Sequence, residues 1–311
     1  MHELRPTSPE AVRAALAEHG YLADEGLATV IFLAITLRRP LLLEGEAGVG
    51  KTEVAKALAR WASGELIRLQ CYEGIDAAQA VYDWDYSRQL LHLRAAEASG
   101  EAAAAGADAL ESQLFTERFL LRRALLRAID HDDAIAPVLL IDEVDRADDE
   151  FEAFLLEVLS DFQITIPELG TFRASVPPLV ILTSNRTRDL HDALKRRCLY
   201  HWVEHPSYER EVAIVRLRAP QAGEALARQA AAGVASLREQ RLYKPPGVAE
   251  TIDWVQALTA IGAPALSTDA ATATLGTVLK HREDQEAVIR AGLDTVVAGA
   301  LSRAAAVPSP E

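Results

Sequence analysis

Gly45-Glu46-Ala47-Gly48-Val49-Gly50-Lys51-Thr52 fits the pattern Gly-x-x-x-x-Gly-Lys-(Ser/Thr), and its flanks decide how it is read. Leu41-Leu42-Leu43 leads in as an apolar run short enough for a buried parallel strand. Glu53-Val54-Ala55-Lys56-Ala57-Leu58 leads out as a helix former. Strand, glycine loop and helix in that order let backbone amides converge on phosphate oxygens at the positive end of a helix. Lys51 would then reach the β- and γ-phosphates of ATP, and the Thr52 hydroxyl would ligate Mg²⁺. Gly45 to Gly50 and Glu53 complete the nucleotide-binding stretch. A plain glycine-rich turn is the competing reading, and the two flanks argue against it.

Working outward, further apolar runs fall at 66–69, 138–141, 180–182 and 199–203, five in all with the first. Helical patterns separate them at 53–61, 110–129 and 149–162. The alanine-rich stretch 95–109 fits a linker or a helix equally. Upstream, Ser8-Pro9-Glu10 opens one helix, and residues 24–37 form a second with Leu27, Ile31 and Ala34 on one face. Alternating strands and helices predict an α/β fold, a doubly wound parallel five-stranded sheet covered on both faces. After about residue 205 only helical patterns remain, broken at Pro220, Pro245-Pro246, Gly262-Ala263-Pro264 and His281. The expected division is therefore 1–205 for the nucleotide-binding core and 206–311 for an all-α domain of four or five helices. The tail 307–311 is expected to fray.

Val138-Leu139-Leu140-Ile141-Asp142-Glu143 reads as a buried strand ending in two carboxylates. Beside a phosphate loop, Asp142 can hold Mg²⁺ or its water, and Glu143 can polarise the attacking water. Leu179-Val180-Ile181-Leu182-Thr183-Ser184-Asn185 is another buried strand with a polar tip, and the Asn185 amide could orient that water. A turn asparagine is the plainer alternative. Arg196 and Arg197 close the helix before the last strand. Complementing a helix C-terminus would explain them; an arginine finger reaching a neighbouring subunit's γ-phosphate is the sharper reading, with Arg197 first.

Composition narrows the partners. Asp and Glu number 46 against 32 Lys and Arg, a formal net charge of −14, which disfavours nucleic-acid binding because that affinity rests on neutralised phosphates. No stretch approaches the roughly twenty apolar residues a membrane span needs. Cys71 and Cys198 lack CxxC spacing and no apolar leader opens the chain, which points to a reducing, cytoplasmic setting without disulfides or zinc.

These motifs together resemble an AAA+ ATPase of the MoxR family, over nearly the whole length. Asp142-Glu143-Val144-Asp145-Arg146-Ala147 matches the family's acidic motif, followed by Leu156-Glu157-Val158-Leu159 and Phe162-Gln163-Ile164-Thr165-Ile166. Within it, Leu69-Gln70-Cys71-Tyr72-Glu73-Gly74, Ile166-Pro167-Glu168-Leu169-Gly170, Thr183-Ser184-Asn185-Arg186-Thr187 and Asp192–Trp202 look most similar to CoxD-type accessory ATPases of carbon monoxide dehydrogenase maturation. The resemblance implies an AAA+ core with a smaller all-α lid, ATP and Mg²⁺ as cofactors, and a homo-oligomer in the form of a hexameric ring. It also implies a von Willebrand A-domain partner and a client metalloenzyme, a molybdenum-containing hydroxylase. A motor subunit of a nucleic-acid-processing complex and an ATP-binding regulatory scaffold are the alternatives.

Two departures stand out. Many AAA+ lids carry a second sensor arginine, but Pro246-Gly247-Val248-Ala249-Glu250-Thr251-Ile252-Asp253-Trp254 has none, and Lys244 is only near. Ala47-Gly48 stands where many MoxR relatives have Pro-Gly. Two hairpin inserts are expected, near 80–93 and 163–173. The first would run from Ala80-Val81-Tyr82-Asp83-Trp84-Asp85-Tyr86 through Ser87-Arg88-Gln89 into Leu90-Leu91-His92-Leu93. Its aromatics either contact a client or pack on their own body.

Overall fold

The computed structural model describes residues 4–99, 107–131 and 135–306. The expected tail 307–311 and part of the alanine-rich stretch lie outside them. The strands are β1 (Leu41–Glu44), β2 (Leu66–Gln70), β3 (Tyr82–Trp84), β4 (Leu120–Arg122), β5 (Val138–Asp142), β6 (Gln163–Ile166), β7 (Gly170–Arg173), β8 (Leu179–Ser184) and β9 (Leu199–Trp202). Five of them form the central sheet in the order β2-β5-β8-β1-β9, as the five apolar runs predicted. The registers of β2 with β5, β5 with β8 and β8 with β1 are all parallel. Every residue of β1 and β5 is buried, the pattern of strands covered on both faces.

The helices are α1 (Pro9–Glu18), α2 (Glu25–Leu37), α3 (Lys51–Ala62), α4 (Ala77–Val81), α5 (Tyr86–Ser99), α6 (Ala107–Leu114), α7 (Ala124–Ile129), α8 (Asp149–Asp161) and α9 (Asp192–Arg197). After β9 come α10 (Tyr208–Arg218), α11 (Glu224–Arg238), α12 (Val248–Ala260), α13 (Thr268–Val278), α14 (Arg282–Ala291) and α15 (Leu293–Ala306). That makes six helices among the described residues of the C-terminal region, where four or five were expected. The unforeseen break falls at Gly292, whose φ of +99° ends α14.

The chain divides into two compact units. One comprises residues 1–15, 25–44 and 55–201, the sheet with its helices; the other comprises 16–24, 45–54 and 202–311. The loop 45–50 thus clusters with the helical region rather than with the sheet from which it emerges. The first core gathers Leu42, Leu139, Ile141 and Leu182 with Phe151, Leu155 and Leu159 from α8. The second is built on Val215, Leu237, Trp254, Leu258 and Leu275. Among the described residues no helix is long and apolar enough to cross a membrane.

The sequence-based segments need two corrections, with one shared cause. Residues 90–93 are not a return strand: they lie on α5. Asp85 caps that helix, its Oδ1 accepting from the Arg88 amide at 3.0 Å, which a hairpin would forgo. The partner of β3 is β4 instead, antiparallel, with Trp84 opposite Leu120. That pairing interrupts the helix expected over 110–129, because it buries Phe119 and Leu120 in the core where local helix propensity would leave them turning past it. The second hairpin is formed by β6 and β7, with Gln163 opposite Arg173.

Trp84 is buried and meets Phe115 edge-on at 5.3 Å between ring centroids and Tyr82 at 6.0 Å. Tyr82 and Trp84 therefore pack on their own body, whereas Tyr86 is exposed. Trp84→Ala should lower unfolding stability by about 3–5 kcal/mol in urea melts. Leu91→Ala, at 68% exposure on the same insert, should stay within about 0.5 kcal/mol of the parent. Equal, small effects from both would mean that Trp84 does not anchor the insert.

Candidate functional site

Parallel registry brings polar strand tips to one edge of the sheet. Gln70 stands opposite Asp142, and Glu44 opposite Ser184. The Asp142 carboxylate is buried and fully engaged: Oδ1 accepts from the Thr183 hydroxyl at 2.5 Å, and Oδ2 from the Arg68 guanidinium at 2.6 and 3.0 Å. Thr183 also accepts from the Glu143 amide at 2.9 Å, so one hydroxyl joins both acidic positions. Glu143 follows in a left-handed conformation (φ 55°, ψ 49°) that turns it off the strand axis. Its carboxylate accepts from Gln70 at 3.2 Å and pairs with Arg146 at 2.8 Å.

Asn185 leaves β8 half-buried, its backbone amide donating to the Asp145 carboxylate at 3.2 Å. Asp145, itself buried, also accepts from the Thr187 amide at 2.8 Å and hydroxyl at 2.7 Å. The 185–187 backbone is thereby fixed to the acidic motif. Cys71, just past β2, is buried, and that burial, then the Asp142 charge, pushes its thiol up to about 12. Burial does the same to Cys198.

Arg196 and Arg197 sit at the C-terminus of α9, both side chains exposed. Arg39 caps that terminus, its guanidinium donating to the carbonyls of Arg196 at 2.7 Å, Arg197 at 2.9 Å and Cys198 at 3.3 Å. The Arg197 guanidinium donates to the Ser160 hydroxyl. Both carbonyl and side-chain contacts tie this end to neighbours in the same unit rather than to Asp142.

The loop after β1 has its own geometry. A side chain at Gly45 would put Cβ 2.4 Å from the Val203 carbonyl oxygen, so only glycine fits. Gly48 and Gly50 both have positive φ. Lys51, buried, donates from Nζ to the Gly45 and Glu46 carbonyls at 2.7 Å each. His205 lies 3.1 Å from the Glu46 carboxylate, and Glu53 pairs with Arg218 at 3.3 Å. Tyr21 approaches Gly50, and burial raises its hydroxyl pKa. A loop that admits only glycine at Gly45 and turns through positive φ at Gly48 and Gly50, at the start of α3 and with an ammonium folded over it, fits a polyphosphate. The Thr52 hydroxyl in this unit and the Asp142 carboxylate in the other are each hard oxygen donors of the kind Mg²⁺ takes.

Sequence reasoning missed Arg68, Gln70, Thr183, Asp145 and Arg39. Arg68 and Gln70 could have been found from the polar alternation of Leu66-Ile67-Arg68-Leu69-Gln70, which marks an edge strand with one face uncovered. Glu44 gave no signal at all. It is buried, hydrogen-bonded by Tyr200, and its Oε1 has no partner among the described residues.

A family model described as AAA domain (dynein-related subfamily) matches residues 40–198. No curated protein matches the sequence. Among solved structures, a point mutant of Thermotoga maritima RuvB is similar over 95% of this chain and 85% of its own, at 18% identity and a TM-score of 0.48.

Thr183→Val keeps the shape but removes the hydroxyl that bonds both the Glu143 amide and an Asp142 oxygen. Unfolding stability should fall by about 1–3 kcal/mol, the cost of losing buried hydrogen bonds. Chemical denaturation measures it, and an unchanged midpoint would show that the hydroxyl holds neither group.

Proposed function

The chain belongs to the dynein-related AAA domain subfamily and is an ATPase, and from that premise we propose a Mg²⁺-dependent protein-remodelling motor of the MoxR type. The observation that carries the hydrolytic part is the pair of differently held carboxylates at one strand tip. Asp142 is buried and bonded through both oxygens, suited to holding a cation; Glu143 is turned off the strand axis and part-exposed, held by Gln70 and Arg146, and open to water as a base must be. In this reading Lys51 and the amides of Gly45 to Gly50 bind the phosphates, with Glu53 stabilising the first turn of α3. Mg²⁺ held by Thr52 and Asp142 would supply neutralisation of phosphate charge. Glu143 takes the proton of the attacking water, and Asn185 orients that water.

Arg197, with Arg196 beside it, acts in trans on a neighbouring subunit's γ-phosphate within a homo-oligomeric, hexameric ring. Its exposed position at the end of α9 supports that role: to meet another copy the guanidinium exchanges only the Ser160 hydroxyl for a phosphate. The acidic surface, at a net charge of −14, favours protein clients over nucleic acid. The motif resemblance supports a von Willebrand A-domain partner and a molybdenum-containing hydroxylase of the carbon monoxide dehydrogenase type as client, in the cytoplasm.

Lys51→Ala should lose ATP binding, whereas Glu143→Gln should bind ATP and turn over at least about a hundredfold more slowly, the scale of a lost general base. Undiminished turnover in Glu143→Gln removes that residue from the mechanism. Arg197→Ala should bind ATP normally and lose most activity, with about 10³–10⁵ as the ceiling for an arginine finger. Mixing it with Lys51→Ala subunits should restore activity, because some interfaces then pair an intact loop with an intact finger. A fully active, dilute Arg197→Ala monomer ends the ring model.

The client assignment is tested separately. Immature hydroxylase incubated with this chain, its A-domain partner and ATP should gain activity, and should not when Glu143→Gln replaces the parent. Equal maturation by both proteins would favour a scaffold that needs no turnover.

A further inference from the structure

The loop 45–50 and the start of α12 meet backbone to backbone. The Gly48 carbonyl accepts from the amides of Val248 at 3.0 Å and Ala249 at 3.4 Å. A Cβ on Gly247 would stand 2.8 Å from the Gly48 Cα and 3.0 Å from the Ala47 carbonyl oxygen. A Cβ on Gly48 would stand 3.1 Å from the Gly247 Cα. Both sides of this contact are glycine: a methyl group on Gly247 would force the backbone to shift, and one on Gly48, already at positive φ, would be tight.

What holds Gly247 in place is a buried ionic network. Arg238, at the end of α11, pairs with the Glu211 carboxylate of α10 through two hydrogen bonds of 2.6 and 2.9 Å. Its Nε donates to the Pro246 carbonyl at 2.7 Å, one residue before the contact. Glu211 in turn accepts from the Thr251 hydroxyl, which also lies 3.1 Å from the Gly247 carbonyl. Glu211 is 1% exposed and Thr251 fully buried. The Glu250 carboxylate closes the turn by accepting from the Gly247 amide at 2.9 Å.

Three helices of the lid therefore converge on one turn, and that turn abuts the phosphate loop. We propose that Gly247 is a positioning residue for nucleotide binding, setting the shape of the loop through Gly48, and that the Arg238–Glu211–Thr251 network fixes Gly247 for that purpose. The inference rests on the ATPase reading above and names what couples lid to loop in a chain whose 246–254 segment has no arginine. A rigid backbone stop behind Gly48 fixes the loop before nucleotide arrives, so less ordering is needed on binding. Such an effect falls on ground-state affinity, and it should move KM more than kcat.

The test compares Gly247→Ala, Thr251→Val and Thr251→Ser with the parent, using a fluorescent ATP analogue for Kd and steady-state hydrolysis for kcat and KM. Gly247→Ala should raise Kd and KM at least tenfold while kcat falls less. Thr251→Val, which removes the hydroxyl on Glu211 but keeps the volume, should raise Kd at least threefold, and Thr251→Ser should return it to the parent value. Should Gly247→Ala fail to fold, the valine and serine variants decide alone. A role in lid stability only would lower the melting temperature without moving Kd at a temperature where each protein is folded. Kd values within twofold of the parent in the folded variants overturn the proposal while leaving the ATPase reading intact. A parent protein that binds no ATP overturns both.

Discussion

Parallel strand direction is the constraint on which the acidic cluster depends. Because β2, β5, β8 and β1 run the same way, their carboxyl ends emerge together, and each apolar run can end in a polar residue on one edge. Gln70, Asp142 and Thr183 come from three strands separated by long crossovers, yet they form one hydrogen-bonded group. An antiparallel neighbour would have sent its tip to the opposite edge. The backbone ladder, not the side chains, brings these groups together, and the side chains then fix one another.

Within that group Asp142 is the most constrained member. A buried carboxylate is costly unless it is paired and hydrogen-bonded, and here Arg68 supplies the charge and Thr183 the second bond. The Arg68 side chain is 51% exposed, so water screens its half of the pair. A divalent cation concentrates more charge than a guanidinium and meets a carboxylate oxygen at closer range, so it competes well for the same group. Gln70 extends the group to Glu143, which it holds by a neutral amide while Arg146 supplies the opposite charge.

Much of this was legible in the sequence because it rests on local pattern. The glycine loop, the five apolar runs and the terminal carboxylates are each readable within a short window, and packing had only to agree with them. What escaped depends on pairing across long separations. Residues 110–129 look helical alone, but β3 lies far upstream and claims Leu120–Arg122 as its partner. Asp85 was readable as a helix cap, and the aromatic alternation beside it drew the reading toward a strand. Arg39, 157 residues from the Arg196 carbonyl it caps, has no local signature whatever.

Two ion pairs with buried carboxylates solve the same problem in the two units. Glu152, fully buried on α8, binds the Arg188 guanidinium and accepts from the His191 amide at 2.8 Å. It thereby anchors the segment between Asn185 and α9. Glu211 binds Arg238 and anchors the turn before α12. Burying such a pair brings little net stability, since desolvation offsets most of the attraction. Leucine or methionine could fill either space, but neither offers a directed bond to a particular amide or carbonyl. In both cases the arginine extends one arm to the carboxylate and another to a backbone carbonyl, Ala147 in one unit and Pro246 in the other. The gain is in geometry: each pair pins a short connecting segment, one that carries Asn185 and one that carries the Gly247 stop behind the phosphate loop.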